Sequence, residues 1–294
     1  MGESTAVDEA RRTLGPVGVC LPVSFSGTAS AGEQRTAVSR LEAAGYRAAW
    51  TNEVIGKDAL AQLAVLLAAT DRLAFGTCVA NIWARPPQTL RGAAEYLAQA
   101  FPDRFVLGLG VGYPQQAESV GRAFGSPLAT LRDYVTGMDG ETTYPRILGA
   151  NGPKMLGLAA EIADGALPAG QPPEHTAQAR QLLGPDKLLV VGQSVVIDDD
   201  RDRARVTARQ VVANWSGSAA FRAGLARFGY GDAESDRVVD ALVAHGGPDT
   251  IAAKVRAHLA AGADHVTLLL PIGTEFASGI DQLTSVAPAL AGLA

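Results

Sequence analysis

The segment 148–154 of this 294-residue chain combines the end of an apolar run, a flexible turn and the start of a helix. It reads Leu-Gly-Ala-Asn-Gly-Pro-Lys, with Pro153 at the position expected for the first helical residue. A turn of this kind can present free backbone N–H groups to an anion, because the first amides of a helix have no partner within it. A plain connection between a strand and a helix would use the same residues. Anion binding is therefore one of two interpretations of this segment.

Closely spaced glycines follow another apolar run, in the segment 108–112. The sequence Gly-Leu-Gly-Val-Gly lets a flat ring approach the backbone, because glycine has no side chain, although glycines also ease tight turns. A dinucleotide-binding fingerprint would need a third glycine where Tyr113 stands. The segment therefore argues against a Rossmann-type site.

Several other chemistries lack the residues that they require. The four histidines show no metal-ligand spacing, so no metal site is expected. His265 precedes a strand, His258 is expected at the surface or edge of a helix, and His175 is expected at the periphery. None of the four lysines closes a strand, as a Schiff-base aldolase would need. No Gly-x-Ser-x-Gly elbow is present, which argues against covalent hydrolysis.

The elements that must position these residues are eight apolar runs that alternate with helical patterns. Strands are predicted at 17–21, 48–51, 73–79, 105–109, 146–148, 165–168, 188–197 and 265–270. Strands with almost no polar face, each followed by a helix, predict an α/β fold, a closed (β/α)8 TIM barrel in a single domain over residues 1–294. The excess chain at about 201–247 predicts a helical insertion after strand seven. In such a barrel the site lies at the C-terminal ends of the strands.

The bulk composition narrows the class of protein. The net charge of −5 is spread along the chain, which argues against a nucleic-acid partner or a membrane surface. No apolar run is long enough to cross a bilayer. The polar N-terminus lacks the core of a signal peptide, and Cys20 and Cys78 both lie in apolar runs. A cytoplasmic location is therefore expected.

Six segments together resemble the bacterial luciferase-like superfamily and, within it, the branch of coenzyme F420-dependent oxidoreductases. The resemblance covers nearly the whole chain. Its segments are 50–53 (WTNE), 75–85 (FGTCVANIWAR), 104–112 (RFVLGLGVG), 148–156 (LGANGPKML), 184–187 (GPDK) and 262–266 (GADHV).

The resemblance implies a homodimeric barrel that binds the flat ring of coenzyme F420, or alternatively FMN, across the strand ends, with a small-molecule substrate beside it. It also implies a cis peptide at Cys78–Val79. Relatives carry histidine or glutamate where Tyr113 stands, so Glu53 is expected to be the catalytic acid or base, with Tyr113 as orienter or gate. The residues implied to bind the cofactor are Asn52, Cys78, Val79, Asn81, Gly110, Gly112, Gln116, Gly149, Ala150, Asn151 and Gly152.

Three functional hypotheses follow. The leading hypothesis is hydride transfer between coenzyme F420 and a carbonyl, imine, alkene or alcohol. The second is an FMN-dependent monooxygenase fed by a separate cofactor reductase. The third is a cofactor-free accessory or binding barrel, for which the altered residue Tyr113 and the short, polar segment 138–146 argue.

Overall fold

Eight parallel strands close into a barrel in the computed structural model, which describes residues 5–23, 29–233 and 235–293. The last barrel strand pairs with the first and with the seventh, which closes the sheet on itself. The described residues form ten strands: β1 (Val17–Cys20), β2 (Ala48–Thr51), β3 (Ala74–Thr77), β4 (Ala80–Asn81), β5 (Phe105–Gly110), β6 (Arg146–Gly149), β7 (Gly165–Leu167), β8 (Leu188–Ile197), β9 (Val243–Gly246) and β10 (His265–Leu269). Eight of them are the barrel strands, whereas β4 continues the third barrel strand after a break and β9 pairs with β8 alone. The predicted (β/α)8 TIM barrel is confirmed.

The described residues form thirteen α-helices, most of which lie around the barrel. They are α1 (Ala6–Leu14), α2 (Ala31–Ala43), α3 (Ala59–Leu67), α4 (Pro87–Ala100), α5 (Pro114–Glu118), α6 (Pro127–Met138), α7 (Pro153–Ile162), α8 (Pro173–Leu183), α9 (Arg201–Ser216), α10 (Ala219–Ala226), α11 (Asp236–Leu242), α12 (Pro248–Ala260) and α13 (Phe276–Leu290), followed by a short 3-10 turn, Ala291–Leu293. None of the helices in the described ranges has the length and apolar character needed to cross a bilayer.

Two strands differ from the sequence prediction. The third predicted strand is broken after Thr77, and the chain resumes as β4, which pairs with the C-terminal end of β5. The other difference is β9, which lies in the predicted insertion and pairs with Ser194–Ile197 of β8. The remainder of the insertion is helical and has an apolar core of its own, which includes Val212, Leu225 and Leu242.

Helix α1 was not predicted from the sequence. Its few apolar residues, Val7, Ala10 and Leu14, are buried in one cluster with residues of the barrel interior. Arg11 fixes the helix by donating hydrogen bonds to the backbone oxygens of Pro185 (2.6 Å) and Lys187 (3.0 Å). These contacts lie far away in sequence, so local periodicity did not reveal them.

Two histidines are core residues with specific partners. His265 accepts a hydrogen bond from Trp50 Nε1 (3.0 Å) and lies 2.7 Å from the carbonyl oxygen of Gly15. His258 is fully buried between Thr176 and Gln193, at 2.8 and 2.7 Å. The expectation of a surface position for His258 is therefore wrong, because its imidazole completes a buried polar network that no local pattern shows.

Candidate active site

A cavity of about 700 Å³ opens at the C-terminal ends of β2, β4 and β5. We call it the central cavity. Its lining includes these predicted site residues: Asn52, Glu53, Cys78, Val79, Asn81, Gly110, Gly112, Tyr113 and Gln116. The lining also includes four residues that were not predicted from the sequence: Val54, Ile55, Gln115 and Ile272. Rings and chains of small organic molecules fit a cavity of this size and position.

The break between β3 and β4 forms the back wall of the central cavity. The Cys78–Val79 peptide bond is cis, as the resemblance implied. Two backbone hydrogen bonds attach this segment to the end of β2: Cys78 N donates to Thr51 O at 2.7 Å, and Glu53 N donates to Val79 O at 3.3 Å. The end of β2 and the break therefore form one rigid unit.

The glycines at the end of β5 make room for the neighbouring chain. A Cβ atom on Gly108 would lie 2.0 Å from Thr77 O, and one on Gly110 would lie 2.1 Å from Val79 Cγ2. Gly149 of β6 also faces the Val79 side chain, with its hypothetical Cβ at 3.4 Å. The glycines are therefore needed because the β3–β4 break lies directly against the end of β5. The break in turn forms the wall that a ring in the cavity would contact.

Glu53 is held by four hydrogen bonds in an almost fully buried position. Its carboxylate oxygens accept from Arg85 Nη2 (2.5 Å) and Nη1 (3.2 Å), from Ala59 N (2.9 Å) and from Asn81 N (2.8 Å). The side chains of Glu53 and Arg85 are 1% and 10% exposed. Burial alone would lower the pKa of the Arg85 guanidinium, but Glu53 and Asp58 raise it on balance. The contacts favour a structural task for Glu53, which links α3, β4 and Arg85.

Arg85 is the functional residue that sequence analysis left without a role. It stands among the polar residues after the third predicted strand, 32 positions beyond Glu53. The sequence offered one signal for this role, which is a charged residue directly after the apolar residues 82–84. Its partner lies on another strand, and only the barrel brings the two together.

Tyr113 lies at the mouth of the central cavity, with 72% of its surface exposed. It precedes α5, and its backbone N–H donates to Gln116 Oε1 at 2.9 Å. Gly112 adopts a left-handed conformation (φ 63°) that brings the chain round to this helix. The Gln116 side-chain oxygen is thus committed to the turn, whereas the Tyr113 phenol faces the open mouth.

The two cysteine side chains meet behind the wall of the cavity. Cys20 Sγ and Cys78 Sγ are 3.1 Å apart, and neither forms a disulfide. The hydrogen bond to Cys20 and burial both raise the pKa of the Cys78 thiol. The Cys78 thiol therefore stays protonated at neutral pH and packs as an apolar group.

The turn 149–152 does not contribute to the lining of the central cavity, although Gly149 contacts Val79 beside it. Gly152 is the N-cap of α7, and nothing lies within 4 Å of its hypothetical Cβ. Asn151 Oδ1 accepts from Ala169 N (2.9 Å), and its carbonyl oxygen lies 2.7 Å from His175 Nε2. His175 is therefore not peripheral, as expected from the sequence, but supports this turn from a buried position.

The luciferase-like monooxygenase family model matches residues 16–140 and 137–265. The chain belongs to this family. A protein of Mycobacterium tuberculosis strain H37Rv that carries the name of a coenzyme F420-dependent oxidoreductase is 30% identical over 231 residues, 61% of this chain and 67% of that protein. A 5,10-methylenetetrahydromethanopterin reductase of Archaeoglobus fulgidus is 28% identical over 60% of this chain and 64% of its own length, which is less than two thirds.

Solved structures share the fold at lower identity. The coenzyme F420 dependent tetrahydromethanopterin reductase from Methanopyrus kandleri superposes with a TM-score of 0.73, at 18% identity, over 93% of this chain and 99% of that chain. The oxygenating constituent of 3,6-diketocamphane monooxygenase from Pseudomonas putida, in complex with FMN, superposes with a TM-score of 0.67, at 15% identity, over 93% and 99%. Both support the barrel architecture.

Proposed function

We propose that this protein is a coenzyme F420-dependent oxidoreductase that transfers a hydride between the deazaflavin and a small organic substrate, a carbonyl, imine, alkene or alcohol. The observation that carries the proposal is the central cavity, which gathers the predicted residues of β2, β4 and β5 at one end of the barrel. The name of the relative that is 30% identical supports this cofactor.

The central cavity suits a flat ring system. Its volume of about 700 Å³ lies within the usual range for small-molecule sites. Val54, Val79 and Ile272 offer an apolar surface, while Asn52 and Asn81 place amide groups in the lining. A lining that is mostly apolar and contains a few polar groups is expected of a cofactor pocket.

The turn 149–152 suits the anionic tail of the cofactor. Pro153 opens α7, and Gly152 leaves the space in front of the helix empty. Within the described part of the chain, the amides of Asn151 and Gly152 donate to no acceptor. Backbone N–H groups at a helix start attract phosphate oxygens, so this turn would hold the tail.

When bound, the deazaflavin supplies the hydride acceptor or donor. The residues of the chain then orient the reactants and handle the proton. Val79 and the β3–β4 break support one side of the cavity, and Asn81 is kept in place by the bond from its N–H to Glu53. Since all of the Glu53 hydrogen bonds are internal, we assign the proton that the substrate gains or loses beside the hydride to Tyr113 Oη, and a positioning role to Glu53.

The second candidate is an FMN-dependent monooxygenase supplied by a separate reductase. The structural likeness to an FMN-containing oxygenase favours it. The exposed mouth, where Ile55 is 62% and Ile272 63% exposed, argues against it, because reactive oxygen intermediates need a closed, dry site.

Parallel titrations of the purified protein with coenzyme F420 and with FMN test the proposal, using the distinct absorption and fluorescence of each. Tight binding of the deazaflavin alone supports it. Binding of FMN alone favours the monooxygenase, and binding of neither favours an accessory barrel. We expect a homodimer in the cytoplasm, and light scattering measures the oligomeric state.

A further inference from the structure

A smaller pocket of about 380 Å³ lies beside the central cavity, at the ends of β1, β2 and β10. We call it the side pocket. Asn52 and Val54 line both the side pocket and the central cavity. A molecule whose reacting carbon lies in the central cavity can therefore extend into the side pocket.

Lys57 provides a cation in the lining of the side pocket. Its Nζ donates to Thr51 Oγ1 at 2.8 Å and to Asn52 Oδ1 at 3.1 Å. Both acceptors are neutral, and the ammonium group has three donors. Among the described residues no carboxylate forms an ion pair with Lys57, so one N–H and the whole charge are available to a ligand.

The amine of Lys57 is held in place by a line of hydrogen bonds. Thr51 Oγ1, which accepts from Lys57, donates to Gln62 Oε1 at 2.6 Å, and Gln62 in turn donates to Gln34 Oε1. Gln34 is buried. Burial of Lys57 lowers the pKa of its ammonium group, an effect that the Glu53 carboxylate partly opposes. An anion beside the amine would relieve the cost of burying this charge.

Two glutamates also line the side pocket, but both are occupied by other groups. Glu33 Oε2 accepts from the backbone N (2.8 Å) and the hydroxyl (2.6 Å) of Ser30. Glu275 caps α13 by accepting from Ala277 N (2.9 Å) and Ser278 N (2.7 Å). Neither carboxylate forms an ion pair with Lys57, and their negative charges favour a ligand with one negative charge over a ligand with two.

We propose that the side pocket binds the carboxylate group of the substrate, with Lys57 as its counter-ion. The substrate is then a small aliphatic or aromatic carboxylic acid whose apolar part contacts Val54 and the mouth residues Ile55 and Ile272. The single positive charge of Lys57 balances the single negative charge of a carboxylate, whereas phosphate dianions are typically bound by arginine or by several donors. This inference rests on the proposed function for the reaction and adds the class of substrate.

Isothermal titration of the cofactor-free protein with benzoate, benzamide and phenyl phosphate tests the inference. We expect wild-type protein to bind benzoate roughly tenfold more tightly than benzamide, as a hydrogen bond to a charged group implies, and more tightly than phenyl phosphate. Lys57→Gln and Lys57→Met should abolish the preference for benzoate, and Lys57→Arg should keep part of it. Arg72→Gln, which removes one exposed positive charge before β3, is the matched control and should bind as wild type does.

Circular dichroism and thermal unfolding identify which variants are folded. Lys57→Gln and Lys57→Met both remove the charge, so the test can be made with either variant if the other does not fold. An unchanged benzoate preference in either folded variant would overturn the inference, as would tighter binding of phenyl phosphate by the wild type. Titration of the same preparations with coenzyme F420 and FMN separates the two proposals. Cofactor binding without a Lys57-dependent benzoate preference refutes only the side pocket. A Lys57-dependent preference without binding of either cofactor refutes only the proposed function.

Discussion

The guanidinium of Arg85 contacts both carboxylate oxygens of Glu53, at 2.5 and 3.2 Å, behind the central cavity. The same carboxylate accepts the backbone N–H of Asn81, so the ion pair sets the position of a residue that lines the cavity. Paired, planar contacts of this kind fix geometry as well as charge. Glu53 and Arg85 therefore act as one unit.

Replacement of Glu53 by Gln should weaken the fold and cofactor binding together. The change removes the buried one of the two carboxylates that contact Arg85 and leaves only the exposed Asp58, at 3.0 Å. Loss of one partner of a buried ion pair costs about 3 kcal/mol. We expect Arg85→Gln to have a similar effect on the free energy of unfolding, measured with urea, and on F420 affinity. A proton-transfer role for Glu53 would instead give Glu53→Gln normal stability and affinity with slow turnover, while Arg85→Gln remained active.

Replacement of Gly110 by Ala should displace the wall of the central cavity. The new Cβ would lie 2.1 Å from Val79 Cγ2, and overlap of this kind costs about 1 to 3 kcal/mol. The double variant with Val79→Ala should recover much of the stability, because the overlapping methyl group is gone. A double-mutant cycle measured by urea unfolding tests the contact, and strictly additive effects would show that the two residues do not interact.

Replacement of Gly152 by Leu should abolish cofactor binding and leave the fold intact. The side chain would enter the open space in front of α7, where the cofactor tail is proposed to lie. Gly157→Leu is the matched control, because Gly157 lies on the exposed side of the same helix with no atom within 4 Å of its hypothetical Cβ. Thermal unfolding and F420 titration are measured for both. Equal F420 affinity in the Gly152 variant and the wild type would remove the turn from the cofactor site.

The sequence predicted those features that depend on local periodicity. The run 188–197 and the run 48–51 were placed with their observed bounds, because buried parallel strands show as short runs of mainly apolar residues. The cis peptide at Cys78–Val79 was also anticipated, through the resemblance rather than through composition. The rule that sites lie at strand ends then selected most of the lining of the central cavity.

Features that depend on contacts between distant residues were not predictable. The role of Gly110 depends on the Val79 side chain of the neighbouring strand, and the burial of His258 depends on Thr176 and Gln193. Lys57 lies just before a helix, and only the barrel places it beside a pocket. No pattern along the chain distinguishes such residues from ordinary loop residues.

Acidification should destabilise the protein through His265. Burial lowers its pKa from 6.5 to about 4, although the backbone contact with Gly15 opposes this shift. Trp50 donates to Nε2, so the neutral ring carries its proton on Nδ1 and cannot take a second proton without losing that bond. Above pH 6.5 the folded and unfolded chains are both neutral at this residue and its contribution is complete. As the pH falls from 6.5 towards 4, only the unfolded chain takes up the proton, and about 3 kcal/mol of stability is lost.

The variant His265→Gln isolates this contribution, because its amide can accept from Trp50 and donate to Gly15 without titrating. Between pH 6 and pH 4.5 the wild type should lose stability more steeply than the variant, by about 1.4 kcal/mol per pH unit at most. Urea unfolding over this range measures both slopes, and carboxylates contribute equally to each. Parallel curves would show that His265 does not titrate on unfolding and would contradict its assignment as a buried neutral imidazole.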